Sequence, residues 1–87
     1  MKDEKFIRLL SFIMSSKNRP KVLKALVKPS TPTSLHQSTK INIKLVSRAL
    51  KELSEAGLVV CRTPEAKKGR IYTLTKEGTE LLEHFKE

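Results

Sequence analysis

One stretch, Ile41 to Val60 (INIKLVSRALKELSEAGLVV), constrains the chain more than any other. It reads as a helix that stops at a glycine and passes directly into a strand. At about 100° per residue, Leu45, Val46, Ala49, Leu50 and Leu53 gather on one side of that helix. Lys44, Ser47, Arg48 and Lys51 gather on the other. Acids enter only in the last turns, at Glu52 and Glu55. The short helix therefore has a core face opposed by a face of cations and a hydroxyl, and its first two turns are purely basic where exposed. A helix that enters a DNA major groove by its N-terminal end needs this division.

The charge of the remaining chain points the same way. The formal net charge is +9, and eleven Lys or Arg lie between Lys5 and Lys51 with no Asp or Glu among them. A single-sign surface of that extent is an electrostatic footprint for a polyanion. Nucleic acid is the first candidate, an acidic membrane the second, and a solvated basic surface without a ligand the plain alternative. No apolar run approaches the roughly 20 residues of a membrane span. The apolar middle of MKDEKFIRLLSFIM is preceded by acids and followed by no small-residue cleavage site, so it does not read as a signal peptide. The 87 residues suit one domain, 1–87, with a core small enough that dimerisation would help. The single cysteine, Cys61, excludes an internal disulfide and fits a reducing cytoplasm. His36, His84 and Cys61 lack ligand spacing, so neither a metal nor a cofactor is expected. There is no phosphate-binding glycine loop, paired carboxylate or nucleophile with its base, and the chain does not read as an enzyme.

Taken in order, residues 3–16 read as a first helix, with Asp3 and Glu4 at its positive end. Phe6, Leu9, Leu10, Ile13 and Met14 form its core stripe, with Ile7 at the edge and Phe12 off it. Phe12 either covers an edge of the domain or packs against a second subunit. Asn18 caps a second helix with Pro20 in its first turn. Val22, Leu23, Ala25, Leu26 and Val27 supply its core face, and Lys28-Pro29 ends it. Thr31-Pro32 caps a short third helix, Pro32 to Thr39, anchored by Leu35. After the turn at Lys40-Ile41, Asn42 caps the helix from Ile43 to about Ala56, and Gly57 fits the left-handed stop. Residues 58–62 and 70–74 read as strands of a hairpin, with TPEAKKG between them. Thr75 caps a last helix in which Gly78, Leu81, Leu82 and Phe85 share a face.

This order of elements, α+β but mostly α, resembles the winged helix-turn-helix fold, and in particular prokaryotic transcription regulators of the MarR and ArsR type. The segments that carry the resemblance are NRPKVLKAL, TPTSLHQSTKIN, VSRALKELSEAGLV and GRIYTLTKEG, from Asn18 to about Gly78. Three positions depart from the family pattern. His36 stands where alanine is usual, Thr39 where leucine is, and Lys40 where glycine is. A more polar helix-turn-helix interface follows, with His36 buried in it as a structural residue. The metal-binding cysteines of ArsR-type sensors are missing, and the terminal helices are shorter than those of MarR-type proteins.

The resemblance implies a sequence-specific regulator of double-stranded DNA, acting as a homodimer. Asn42, Ile43, Lys44, Ser47, Arg48 and Lys51 would meet DNA from the recognition helix, 42–56. Arg48 suits a bidentate pair with guanine, worth roughly 1–3 kcal/mol of discrimination. Lys67, Lys68 and Arg70 would lie on the backbone or minor groove from the wing, 58–74. Thr31, Thr33, Ser34 and Lys40 would meet phosphates. The dimer would form through helices 3–16 and 75–86, by Phe6, Leu9, Leu10, Phe12, Ile13, Leu81, Leu82 and Phe85. Such a protein would be cytoplasmic and nucleoid-associated, and its effector stays open. The alternatives are a winged-helix module that binds another protein and a chromatin-like protein that binds DNA without sequence preference.

Overall fold

A computed structural model of the chain describes residues 4–85. Asp3 and residue 86 lie outside them, as does the side chain of Phe85. The described residues form α1 (Glu4–Met14), α2 (Asn18–Ala25), α3 (Pro32–Thr39), α4 (Ile43–Glu55), β1 (Val59–Cys61), β2 (Tyr72–Leu74) and α5 (Lys76–Phe85). The order is the one read from the sequence, a winged helix-turn-helix.

Helix α4 is the centre of the packing and touches α2, α3 and β1. It buries Val46, Ala49, Leu50 and Leu53, whereas α1 fully buries only Ile13. At roughly 1.5–3 kcal/mol per large apolar side chain buried, α4 anchors the core and α1 covers it. Phe6, Leu9, Leu10 and Phe12 pack half-buried over that core. The Phe6 and His84 rings meet edge to face, 5.3 Å between centroids, which ties α1 to α5.

Side-chain caps fix where three helices start. Thr31 Oγ1 accepts from the Ser34 N–H at 3.1 Å, Asn42 Oδ1 from Lys44 N–H at 2.8 Å, and Thr75 Oγ1 from Gly78 N–H at 3.1 Å. Helix α2 differs from expectation, because Asn18 is its first residue and not its cap. The Asn18 N–H donates to Ser16 Oγ instead, at 3.2 Å.

Two helices end earlier than their patterns suggest. Helix α1 stops at Met14, where the Ser15 hydroxyl donates to the Phe12 carbonyl and competes with the helical ladder. Helix α2 stops at Ala25, where the Leu26 N–H tightens onto the Leu23 carbonyl, three residues back. That turn draws Leu26 into the core and leaves Val27 57% exposed. Met14 and Leu45, also expected in the core, are exposed as well.

The strands are shorter than the five-residue stretches of the sequence reading. They pair antiparallel, Val59 with Leu74, Val60 with Thr73 and Cys61 with Tyr72. On the far side of β2, Ser30 forms an isolated bridge, its N–H donating to the Tyr72 carbonyl at 3.1 Å and its carbonyl accepting from Tyr72 N–H at 2.8 Å. The link between α2 and α3 thus closes one edge of the hairpin, which no sequence pattern announced.

The passage from α4 to β1 is a backbone device. Gly57 stands at φ 80°, its N–H donates to Ser54, and the Leu58 N–H reaches back to Leu53 at 2.9 Å. This is the paired closure of a Schellman motif. Helix α5 then crosses so near that a Cβ on Gly78 would run into the Leu58 carbonyl oxygen.

Candidate nucleic-acid interface

The turn that presents α4 is held by side chains. Lys40 adopts a left-handed conformation at φ 64°, at the position where glycine was expected. Thr39 Oγ1 donates to the Leu35 carbonyl at 2.6 Å and accepts from the Ile41 N–H at 3.2 Å. His36 Nδ1 lies 2.6 Å from the Ile41 carbonyl oxygen, so it must carry a proton and donate. His36 is exposed, not buried as expected. Its ring lies along the outside of the turn and stitches α3 to the residue before the Asn42 cap.

From that turn, α4 projects Lys44, Ser47, Arg48 and Lys51, all exposed, with Ile43 and Asn42 exposed at its start. Helical spacing alone brings these side chains onto one surface, because the core takes Val46, Ala49, Leu50 and Leu53. Asn42 spends its side-chain oxygen on the cap. Leu45 is 42% exposed because it faces a cleft of about 180 Å³ with polar walls. Ser16, Asn18, Arg19, Arg48 and Glu52 line that cleft. Arg19, on α2, fixes the cleft's inner wall. Its Nε donates to Glu52 Oε1 at 3.0 Å, its Nη1 to the Phe12 carbonyl at 2.7 Å and to Ser15 Oγ at 2.9 Å. Its guanidinium lies 4.0 Å from the Phe12 ring centroid. The off-stripe position of Phe12 is thus explained within the protomer.

The wing tip is organised by its own polar groups. Thr63 Oγ1 accepts from the Ile71 N–H, and Arg70 Nε donates to the Ala66 carbonyl at 2.7 Å. Lys67, Lys68 and Arg70 are all exposed there. Arg62 is a wing cation that the sequence reading passed over. It follows β1 directly and is exposed, with its Nε donating to Thr73 Oγ1 at 3.0 Å. Alternation along the strand could have found it, since Val59 and Cys61 face inward on either side of Val60. Of the residues expected at phosphates, Thr33, Ser34 and Lys40 are exposed, and Thr31 is half-buried and engaged as a cap.

Among the described residues, the side chains expected at a dimer interface do not form one surface. Ile13, Leu81 and Leu82 are sealed in the protomer's own core, since a fold this small needs them there. Phe6, Leu9, Leu10 and Phe12 are half-buried. The apolar groups that α1 leaves uncovered are Ile7 and Met14, two turns apart on one face. Among the described residues no three His, Cys, Asp or Glu side chains group as metal ligands, and no helix is long and apolar enough to cross a membrane.

The sequence matches the winged helix-turn-helix family over residues 20–87. A comparison with curated protein sequences finds no match. Among solved structures, the chain is similar to a MarR family transcription regulator, with a TM-score of 0.75 and 24% identity over 93% of this chain and 56% of that one. It is similar to apo MarR from E. coli, with a TM-score of 0.71 and 26% identity over 93% of this chain and 65% of that one. It is also similar to TubR from Bacillus thuringiensis, solved bound to 24 bp of tubC, with a TM-score of 0.81, 18% identity, and coverage of 99% and 97%. The chain thus spans little more than half the length of the first of these and nearly all of TubR. On its sequence match and its fold, the chain belongs to the winged helix-turn-helix family.

Proposed function

We propose that the protein is a transcription regulator that binds specific sites on double-stranded DNA as a homodimer. The observation that carries this reading is the divided surface of α4. Lys44, Ser47, Arg48 and Lys51 stand exposed opposite a fully packed core face, and among the described residues none of their side chains has an ion-pair partner. Arg48 reads a guanine edge and Ser47 a base or phosphate. Ile43 touches a thymine methyl, while Asn42 and Lys51 stay near the backbone. Lys67, Lys68, Arg70 and Arg62 bring the wing onto phosphates or into the minor groove. Thr33, Ser34 and Lys40 add phosphate contacts, with Thr31 setting the helix start between them. TubR was solved on DNA and shares this fold along nearly its whole length, which supports the same use here.

The second copy docks through α1 and α5. Ile7 and Met14 are the apolar side chains free for it, and Phe85 is a further candidate. Two recognition helices then meet a near-palindromic site about one turn of DNA apart. Two subunits of formal charge +9 release many counterions. Affinity for duplex DNA should fall about a thousandfold between roughly 50 and 200 mM salt if six or more phosphates are neutralised. A flat salt response overturns DNA binding. Replacing Arg48 with alanine should lower discrimination between sequences, whereas Lys68→Ala should weaken all sequences alike.

A second reading, a module that binds another protein, draws on Leu45 and Ile43, both exposed on α4. No gel shift of random duplex DNA at low salt would favour it. Equal affinity for every duplex would favour chromatin-like binding instead.

A further inference from the structure

Three charged side chains share the cleft beside α4, and two of them compete for the third. Arg48 and Glu52 lie four residues apart on the same helix face, the spacing at which an arginine and a carboxylate pair. Among the described residues they do not pair. Glu52 Oε1 is taken by Arg19 Nε at 3.0 Å, and among the described residues the Arg48 side chain makes no hydrogen bond or ion pair. Arg19 has the advantage because its guanidinium is already fixed. The Phe12 carbonyl, Ser15 hydroxyl and Phe12 ring hold it, and its side chain is only 16% exposed. Little side-chain freedom is left for Arg19 to lose on meeting Glu52. Arg48 is exposed and would have to surrender its own.

We propose that Arg19 is a positioning residue for sequence recognition: by holding Glu52, it keeps the carboxylate one turn along α4 from capturing Arg48, whose guanidinium stays free for a base edge. The inference rests on the reading of Arg48 given above. It assigns a role in recognition to a residue of α2 that is engaged in the protomer's interior. It also explains why an acid so close to the reading surface does not silence it.

The test uses the full chain and two duplexes, one selected from a random pool by the wild-type protein and one scrambled from it. The readout is the ratio of the two affinities. Arg19→Met should lower the ratio about tenfold, because Glu52 then turns to Arg48 and a bidentate base contact is lost. Glu52→Gln alone should leave the ratio near wild type, and Arg19→Met with Glu52→Gln should restore it. Arg19→Lys, which still pairs with Glu52, should retain it. A carboxylate acting only through its field would weaken both duplexes equally and leave the ratio unchanged, which overturns the proposal. So does a double variant that fails to recover. If Arg19→Met does not fold, Arg19→Leu, which likewise removes the partner of Glu52 and keeps an apolar stem beside Phe12, carries the same expectation. In an Arg48→Ala background, Arg19→Met should have no further effect on the ratio. Should Arg48→Ala by itself leave the ratio intact, the groove assignment fails and the coupling with it. Loss with Arg48→Ala but not with Arg19→Met overturns the coupling alone.

Discussion

At its leading end, α4 follows a turn through Lys40 at φ 64°; at its trailing end, the chain leaves through Gly57 at φ 80°. The backbone conformation is nearly the same, but the two corners are built differently. The trailing corner is made mostly of main chain and of missing side chains, with one hydroxyl, that of Thr75, donating to the Gly57 carbonyl at 2.7 Å. Gly57 carries the left-handed step, Leu58 closes onto Leu53, and Gly78 lets α5 lie against the Leu58 carbonyl. The leading corner is made of polar side chains. Thr39, His36 and Asn42 each hold one backbone group of the turn, and a lysine takes the strained conformation. The trailing corner has only to join helix to wing. The leading corner aims the proposed reading surface, and there a cation occupies a place that glycine would fill at lower conformational cost.

Substitutions at the two corners can break or sharpen this contrast. The largest effect is expected at Gly78→Ala, where the methyl group has no room and the clashing atom is backbone. Stability should fall by about 3 kcal/mol, seen as a lower midpoint in denaturant unfolding. A loss under 1 kcal/mol would mean that α5 can back away and that the trailing corner is not rigid. Next is Asn42→Ala, which removes the α4 cap and should cost about 1 kcal/mol, with no change in the hairpin's amide exchange. The smallest is Lys40→Gly, with an effect of opposite sign. Relief of the left-handed strain, roughly 1–2 kcal/mol, is partly offset by the greater freedom of glycine in the unfolded chain, about 0.4–1 kcal/mol. The protein should gain about 0–1.6 kcal/mol while the slope of log affinity against log salt becomes about one unit shallower. A variant that gained stability without any change in that slope would remove Lys40 from the DNA surface.

The trailing corner was legible in the sequence because glycine and threonine mark a stop and a cap. The bounds of α3, its Thr31 cap and the Asn42 cap were legible for the same reason. Periodicity was a weaker guide where an apolar residue stands beside the stripe. Leu45 and Met14 pass for core on a helical wheel, yet one faces a polar cleft and the other looks outward. Which side of a broad apolar stripe is covered depends on the neighbouring helix, and a wheel has no neighbour. For the same reason Ile13, Leu81 and Leu82 were assigned to a partner as well, although the protomer itself needs them. His36 was expected to be buried because of the residue it replaces, but its value lies in a hydrogen bond that needs no burial. Arg19 belonged to a recognised segment without a stated role. Its partners lie 4, 7 and 33 residues away, and the one that matters for α4, Glu52, is beyond any local pattern. The surface of α4 itself was visible in full, since a single helix suffices to assemble it.

The bridge between Ser30 and Tyr72 has a consequence for how such a chain can change. It clamps the outermost rung of the ladder, Cys61 with Tyr72, to the body of the fold, so the strands keep their place whatever happens farther out. Beyond that rung, the loop from Thr63 to Gly69 closes on itself through Thr63, Ala66 and Arg70 and contributes nothing to the buried cluster. Insertions and changes of charge at such a tip cost the core little. The wing is therefore an interchangeable part, whose reach and charge evolution or an engineer can vary while α4 keeps its aim.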